Sequence, residues 1–414
     1  MRTYARWIGI GAAVGIISAL VPVVQGRIVP ADVTAPLARL TQQTAAEPAP
    51  PSFDGLSLAD MTVLPRRVTA PLGAGRTAEL TVDPDLQTGA LSIMQRYQIP
   101  VTGAVLMEVK TGKILVYASR VGTGKPYDVN VRALAPAASV FKVVTSAALI
   151  EGAGLSAGTE QCYRGGKSQI LAEELLDDPK RDKWCSTLGM ALGRSINVVF
   201  GRLAQKHLKP AELQATAGAF GFGSPIPFVA QNEAPKVEMP EDRVEFARAA
   251  AGFWHTTLSP LAGVSLAQTV ANGGVAIEPR IVDRVVQGKE EVWKDNRPPR
   301  ILRRAIRPET SAELRRMMAN TVTSGSAWKS FHDKSGTAYL PNVGIAGKTG
   351  TLTEHADDRH YTWFVGFAPT EEPEVAVSVL VVNTPMWQIK AADLARDVLR
   401  GYFASRGTPG VARP

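Results

Sequence analysis

Gly103-Ala104-Val105-Leu106-Met107-Glu108-Val109, then Lys110-Thr111-Gly112-Lys113, then Ile114-Leu115-Val116-Tyr117-Ala118 read as strand, turn and strand. Two apolar runs around a Gly-bearing turn are the pattern of a hairpin. Far along the chain the pattern returns. Tyr361 to Phe367 and Val375 to Val382 are two more strands, joined by Ala368-Pro369-Thr370-Glu371-Glu372-Pro373, and Val343 to Leu352 is a Gly-punctuated fifth. Between these groups, helical patterns cover Val140 to Glu151, Thr187 to Gln205, Leu258 to Ala271 and Pro308 to Asn320; an amphipathic stretch covers Ile389 to Phe403. Strands from both ends with helices inserted between them predict a mixed fold. One antiparallel five-stranded sheet is built from distant segments and covered by helices on both faces, with high contact order and slow folding.

The 414 residues are 45% hydrophobic and 20% charged, which excludes a wholly disordered, collagen-like or many-span membrane chain. The net charge of +8 comes without a basic run long enough for a nucleic-acid arm, so no nucleic acid is expected as partner. It suits work beside an anionic lipid or cell-wall polymer. Arg2 and Arg6 precede an uncharged run from Trp7 to Val24, the pattern of an export element and not of a buried core helix. No small-x-small cleavage pattern follows, which favours an uncleaved single-pass anchor at 1–26 over a cleaved signal, with the remainder outside the cytoplasm. Residues 27–78, rich in Pro and Ala, read as an extended tether, residues 79–405 as the folded domain and 406–414 as a disordered tail. Two cysteines exclude a disulfide-dense scaffold and a four-cysteine zinc site. In an exported chain, Cys162 and Cys185 are expected to pair across a polar insertion, free thiols being the alternative. His207, His255, His332, His355 and His360 lack metal-ligand spacing, and His355 and His360 read as a solvated loop; no metal and no cofactor are expected.

Three short patterns carry the chemistry. Ser139-Val140-Phe141-Lys142 is an S-x-x-K, Ser195-Ile196-Asn197 an S-x-N, and Lys348-Thr349-Gly350-Thr351 a K-T-G-T. Each alone is weak, and decoys exist: Ser326-Ala327-Trp328-Lys329 is a second S-x-x-K, while Lys110-Thr111-Gly112 and Lys334-Ser335-Gly336 imitate the third pattern. Context rejects them. Lys110-Thr111-Gly112 is the hairpin turn, Lys334-Ser335-Gly336 has no strand around it, and Ser326 lies in a Ser/Gly-rich stretch and opens no long apolar helix. Ser139, by contrast, opens a helix with Val140, Val143, Val144, Ala147 and Ala148 as its buried stripe. At a helix mouth, free N–H groups favour developing negative charge, and Lys142 one turn later reaches the hydroxyl. A serine hydroxyl needs a base, and lysine is one only when burial or another cation lowers its pKa. Lys348 is the expected second cation, Ser195 a proton relay and Asn197 a donor to a substrate amide. Thr349 and Thr351 offer hydroxyls to a substrate carboxylate, and Gly350 lets the strand come close. The N–H groups of Ser139 and Thr351 are expected to form an oxyanion hole.

From about Leu80 to Phe403 the sequence resembles the transpeptidase domain of penicillin-binding proteins. Beyond the three patterns, the segments Thr81 to Gln87, Phe220-Gly221-Phe222-Gly223, Leu258-Ser259-Pro260-Leu261, Ala271-Asn272-Gly273-Gly274 and Trp363 to Phe367 are similar to that family's. The resemblance implies an α/β (α+β) fold of the β-lactamase/transpeptidase kind, with an all-helical subdomain beside the sheet. It implies that Ser139 is acylated by a D-Ala-D-Ala stem peptide of peptidoglycan, the acyl group passing to an amine or to water, and that β-lactams acylate the same serine. Cell-wall assembly proteins are the partners such an enzyme would meet. Ala138 departs from the glycine usual before the nucleophile. The short segment before the domain leaves room for no glycosyltransferase or pedestal domain, so a minimal transpeptidase or a carboxypeptidase is expected. Asn197 argues against the β-lactamases that carry S-x-V, and Glu233 lacks the context of a deacylating glutamate. A non-catalytic scaffold disagrees with an intact Ser139, Lys142, Ser195 and Lys348.

Overall fold

Val375–Asn383 is the central strand of the molecule, and its composition says why: eight apolar or small residues and one terminal amide, all buried, mark a strand covered on both faces. Around it the order is Ala346–Glu354, Arg359–Ala368, Val375–Asn383, Val101–Glu108, Ile114–Val121, every pair antiparallel. This is the five-stranded sheet expected from the two ends of the chain. The computed structural model describes residues 50–166, 169–354, 358–384 and 387–414. The anchor expected at 1–26, the tether as far as residue 49, and His355 lie outside the described residues.

Helices cover both faces. Pro260–Ala271 is buried at every residue and lies against three strands of the sheet on one side. Its Gly263 sits so near Ser378 that a Cβ there would meet Ser378 Oγ at 2.4 Å. On the other side Pro84–Arg96 and Ala391–Ser405 pack through a second apolar cluster that includes Leu86, Ile93, Val377, Leu394 and Leu399. Pro84–Arg96 starts where it does because the Asp83 carboxylate accepts the N–H groups of Asp85 and Leu86 and Pro84 stands in the first turn. Lys142–Glu151, Leu188–Arg194, Asn197–His207 and Pro308–Thr323 form the helical part beside the sheet.

Four expectations change. The tether does not extend to residue 78: Thr62–Leu64, Arg67–Leu72 and Arg76–Leu80 pair with Val282–Gln287 and Glu290–Lys294 in a second five-stranded sheet. Val68, Ala70 and Leu72 alternate inward, but the strands are short, rich in Thr, Ala and Pro, and their partner lies some 200 residues away, so local composition hid them. Residues 406–414 hold no helix or strand, yet they are not a loose tail, since Val411 packs on the second cluster and Gly410 abuts Pro341. The helical pattern from Thr187 to Gln205 is two helices, broken at Ser195, whose φ is 60°. Cys162 and Cys185 are bonded to each other, joining the paired strands Glu160–Tyr163 and Trp184–Thr187. His360 lies in the strand Arg359–Ala368 and not in a loop.

Candidate active site

Ser139 stands in a single 3-10 turn, Ala138–Phe141, that runs directly into the helix Lys142–Glu151. The helix mouth is thus one turn tighter than the sequence suggested. The segment before it is pinned from two sides: Ala137 N–H donates to Thr256 O at 3.0 Å, and Trp363 Nε1–H donates to Pro136 O at 2.9 Å. Ala138 takes the left-handed φ of 50°, a conformation that costs a residue bearing a Cβ about 1 kcal/mol.

Lys142 folds back over its own turn and is fully buried. Its Nζ lies 2.8 Å from Ser139 Oγ, 2.8 Å from Asn197 Oδ1 and 2.5 Å from Ala251 O. Those partners suit an uncharged amine. Two N–H bonds go to the Asn197 and Ala251 oxygens, which only accept, and the lone pair faces the Ser139 hydroxyl, which can donate. Burial, first, and the Lys348 cation, second, hold the Lys142 pKa well below the usual lysine range. Asn197 therefore spends its carbonyl on the lysine, where the sequence reading had assigned it only to substrate.

The chain break at Ser195 has a structural use. The left-handed residue ends the helix Leu188–Arg194, and Asn197 opens the next one, so the two side chains leave the backbone in different directions. Ser195 Oγ accepts from Lys348 Nζ at 2.9 Å, and Lys348 also donates to Thr349 O at 2.8 Å. Lys348 is buried on the edge strand Ala346–Glu354, and burial pushes its pKa down to about 7. A Cβ on Gly350 would stand 3.2 Å from the Cβ atoms of Ala138 and Trp363, so a larger residue would push the strand from the nucleophile turn. Thr349 Oγ1 is 2.5 Å from Ser326 Oγ. Ser326 is the serine of the decoy motif; the structure puts it beside the K-T-G strand as a partner of Thr349, a position no local pattern signalled.

Ser139, Asn197 and Thr351 line one cleft of about 710 Å³, with Phe253, Trp254 and His255 also on its wall. Ser139 and Thr351, expected to supply the oxyanion hole, thus face the same space. The cleft also holds a charged group the sequence reading missed: the Glu245 carboxylate bonds His255 Nε2 at 3.1 Å and accepts from Arg248 at 2.6 Å, which lowers its pKa, the His255 bond most. Glu233 lies elsewhere, accepting from Ala133 N–H and paired with Arg132.

The family model described as penicillin binding protein transpeptidase domain matches residues 102–400. The chain belongs to the penicillin-binding protein transpeptidase family. It is 30% identical over 345 residues to the peptidoglycan D,D-transpeptidase PbpA of Mycobacterium tuberculosis, covering 75% of this chain and 68% of that protein. It is 26% identical to stage V sporulation protein D of Bacillus subtilis, over 80% of this chain and 54% of that one. Among solved structures, PBPA from M. tuberculosis aligns with a TM-score of 0.64 at 24% identity, over 79% of this chain and 81% of that chain. The transpeptidase domain from Eggerthella lenta aligns with a TM-score of 0.65 at 23% identity, over 80% and 83%. The fold of this penicillin-binding protein domain is therefore that of its family. Among the described residues no helix is long and apolar enough to cross a membrane.

Proposed function

We propose that the protein is a penicillin-sensitive serine D,D-transpeptidase that cross-links peptidoglycan stem peptides through an acyl-serine intermediate. Ser139 Oγ attacks the carbonyl between the two terminal D-alanines as Lys142 Nζ takes the hydroxyl proton. The N–H groups of Ser139 and Thr351 receive the oxyanion. The leaving nitrogen takes a proton from Ser195, replenished by Lys348; the C–N bond breaks and D-alanine departs. Thr349, Thr351 and the Lys348 charge hold the substrate carboxylate, and Asn197 keeps Lys142 aligned. An amine of a second strand then attacks the ester, returning the proton to the same groups and freeing Ser139. A β-lactam opens on Ser139 by the first half of this sequence.

The observation that carries the reading is the set of three oxygens around Lys142 Nζ, which fits a neutral amine poised on one hydroxyl. Glu233, engaged with Arg132 away from the cleft, gives no support to a β-lactamase. On this reading residues 1–26 hold the chain in the cytoplasmic membrane and the domain faces outward, where wall polymer and assembly proteins are found. The test is product analysis by mass spectrometry after incubation with a D-Ala-D-Ala peptide, with and without an added amine. A new amide is expected with the amine present. Hydrolysis alone under all conditions would make the protein a carboxypeptidase.

A further inference from the structure

One wall of the Ser139 cleft is a tight bend, Gly252-Phe253-Trp254-His255-Thr256, between the helix Arg243–Ala250 and the short strand Thr257–Leu258. Gly252 and Trp254 both take left-handed φ, 86° and 47°. That backbone suits glycine but strains a tryptophan, and here the indole is half-exposed, so its own burial does not explain the strain. Such an outlier persists only where the groups around it over-determine it.

On its inner side the bend touches the segment before the nucleophile at two points. Thr256 O accepts from Ala137 N–H at 3.0 Å, and Gly252 lies so close to the Ala138 carbonyl that a Cβ would run into it. Ala137 and Ala138 are the two residues before Ser139, and Ala138 is itself left-handed. A shift of the bend is therefore a shift of Ser139.

On its outer side the bend is tied back to the helix by side chains. Glu245 Oε2 lies 3.1 Å from His255 Nε2, and since an ionised carboxylate only accepts, Nε2 donates. The other Glu245 oxygen accepts from Arg248 at 2.6 Å, and Arg248 also donates twice to Ile170 O. The helix that carries both residues is a fixed support: Phe246 and Ala247 are buried, and Thr145, three residues after Lys142, donates its hydroxyl to Ala250 O at 2.7 Å. We infer that Glu245 and His255 are positioning residues for acylation: their bond holds the strained bend against Ala137 and Ala138 and so sets where the Ser139 hydroxyl points. The inference rests on the acyl-serine reading above. Lys142 is held separately, by Asn197 and by the carbonyl of Ala251 at the end of the fixed helix, and keeps those partners when the bend slackens.

The experiment is stopped-flow acylation of the full chain in detergent by a fluorescent penicillin, resolved into a binding constant and a first-order acylation constant. Both are read on the population that reacts, so a partly folded variant does not imitate the result. Glu245→Ala and His255→Ala are each expected to lower the acylation constant about tenfold, with binding held within about twofold. The double variant should be no slower than either single one, because both changes break the same bond. Glu245→Gln keeps an oxygen for His255 and should restore most of the rate. The acid limb of the acylation profile should stay at its wild-type position in every variant, since Lys142 keeps its partners. Wild-type constants in both alanine variants, losses that multiply to about 100-fold in the double variant, or a loss confined to binding would overturn the positioning role while leaving the transpeptidase reading intact. So would a moved acid limb, or a Glu245→Gln variant as slow as Glu245→Ala. A wild-type protein that penicillin never acylates would overturn both.

Discussion

Asn197→Asp puts a carboxylate where the fully buried Lys142 now meets an amide carbonyl at 2.8 Å. At that separation, an effective dielectric of 20 gives about 6 kcal/mol of attraction for the charged lysine. That is about four pKa units, and burying the new carboxylate returns about half of it. The Lys142 pKa should then rise by about two units, which leaves up to ~100-fold less neutral amine on the acid limb of the pH profile. The change adds no bulk, so the cleft keeps its shape. The assay is the second-order rate of acylation by a fluorescent penicillin across pH. The expected result is an acid limb moved upward by about two units, with a loss of up to about 100-fold along that limb. A variant that acylates at the wild-type rate with an unmoved limb would refute the assignment of Lys142 as the base.

Other outcomes follow from the same geometry. Ser326→Ala removes the 2.5 Å partner of Thr349 and should lower the acylation rate about tenfold by loosening one hydroxyl of the carboxylate site, without loss of the acyl-enzyme; an unchanged rate counts against a positioning role. Stability should rise with pH between about 7 and 10.5, because over that window the unfolded chain holds a proton on Lys348 that the folded chain has shed; each pH unit adds up to about 1.4 kcal/mol, seen in urea titrations, and a flat or falling trend contradicts the burial argument. Arg202→Met strips the buried Asp182 of its two bonds at 2.6 and 3.0 Å, leaving Arg164 as its other guanidinium partner; thermal unfolding should show a loss of about 3 kcal/mol.

The main sheet was legible in the sequence because its strands are long and apolar: Val375–Asn383 and Arg359–Ala368 carry their burial in their composition. The helix at Ser139 was legible through its Val and Ala stripe. The second sheet was not, since its strands of three to six residues find their partner in Val282–Gln287, and only tertiary pairing distinguishes Thr77-Ala78-Glu79 from a linker. Residue order and context picked out Ser139, Lys142, Ser195, Asn197 and Lys348, but not how they are bonded. The left-handed Ser195 inside a helical pattern, the Ala251 carbonyl on Lys142 and the Ser326 hydroxyl on Thr349 arise from contacts between segments roughly 20 to 110 residues apart. Periodicity has no access to such contacts. Ala138 shows the reverse: its departure from glycine was visible in sequence, and the structure holds it at positive φ between Gly252 and Gly350, both of which lack a Cβ where it passes.

The most direct measurement is intact-protein mass spectrometry with peptide mapping after exposure to penicillin. One adduct, on Ser139, is the predicted result, absent in Ser139→Ala with the fold unchanged by circular dichroism. An adduct on Ser326 or Ser195, or persistent labelling of Ser139→Ala, would contradict the account.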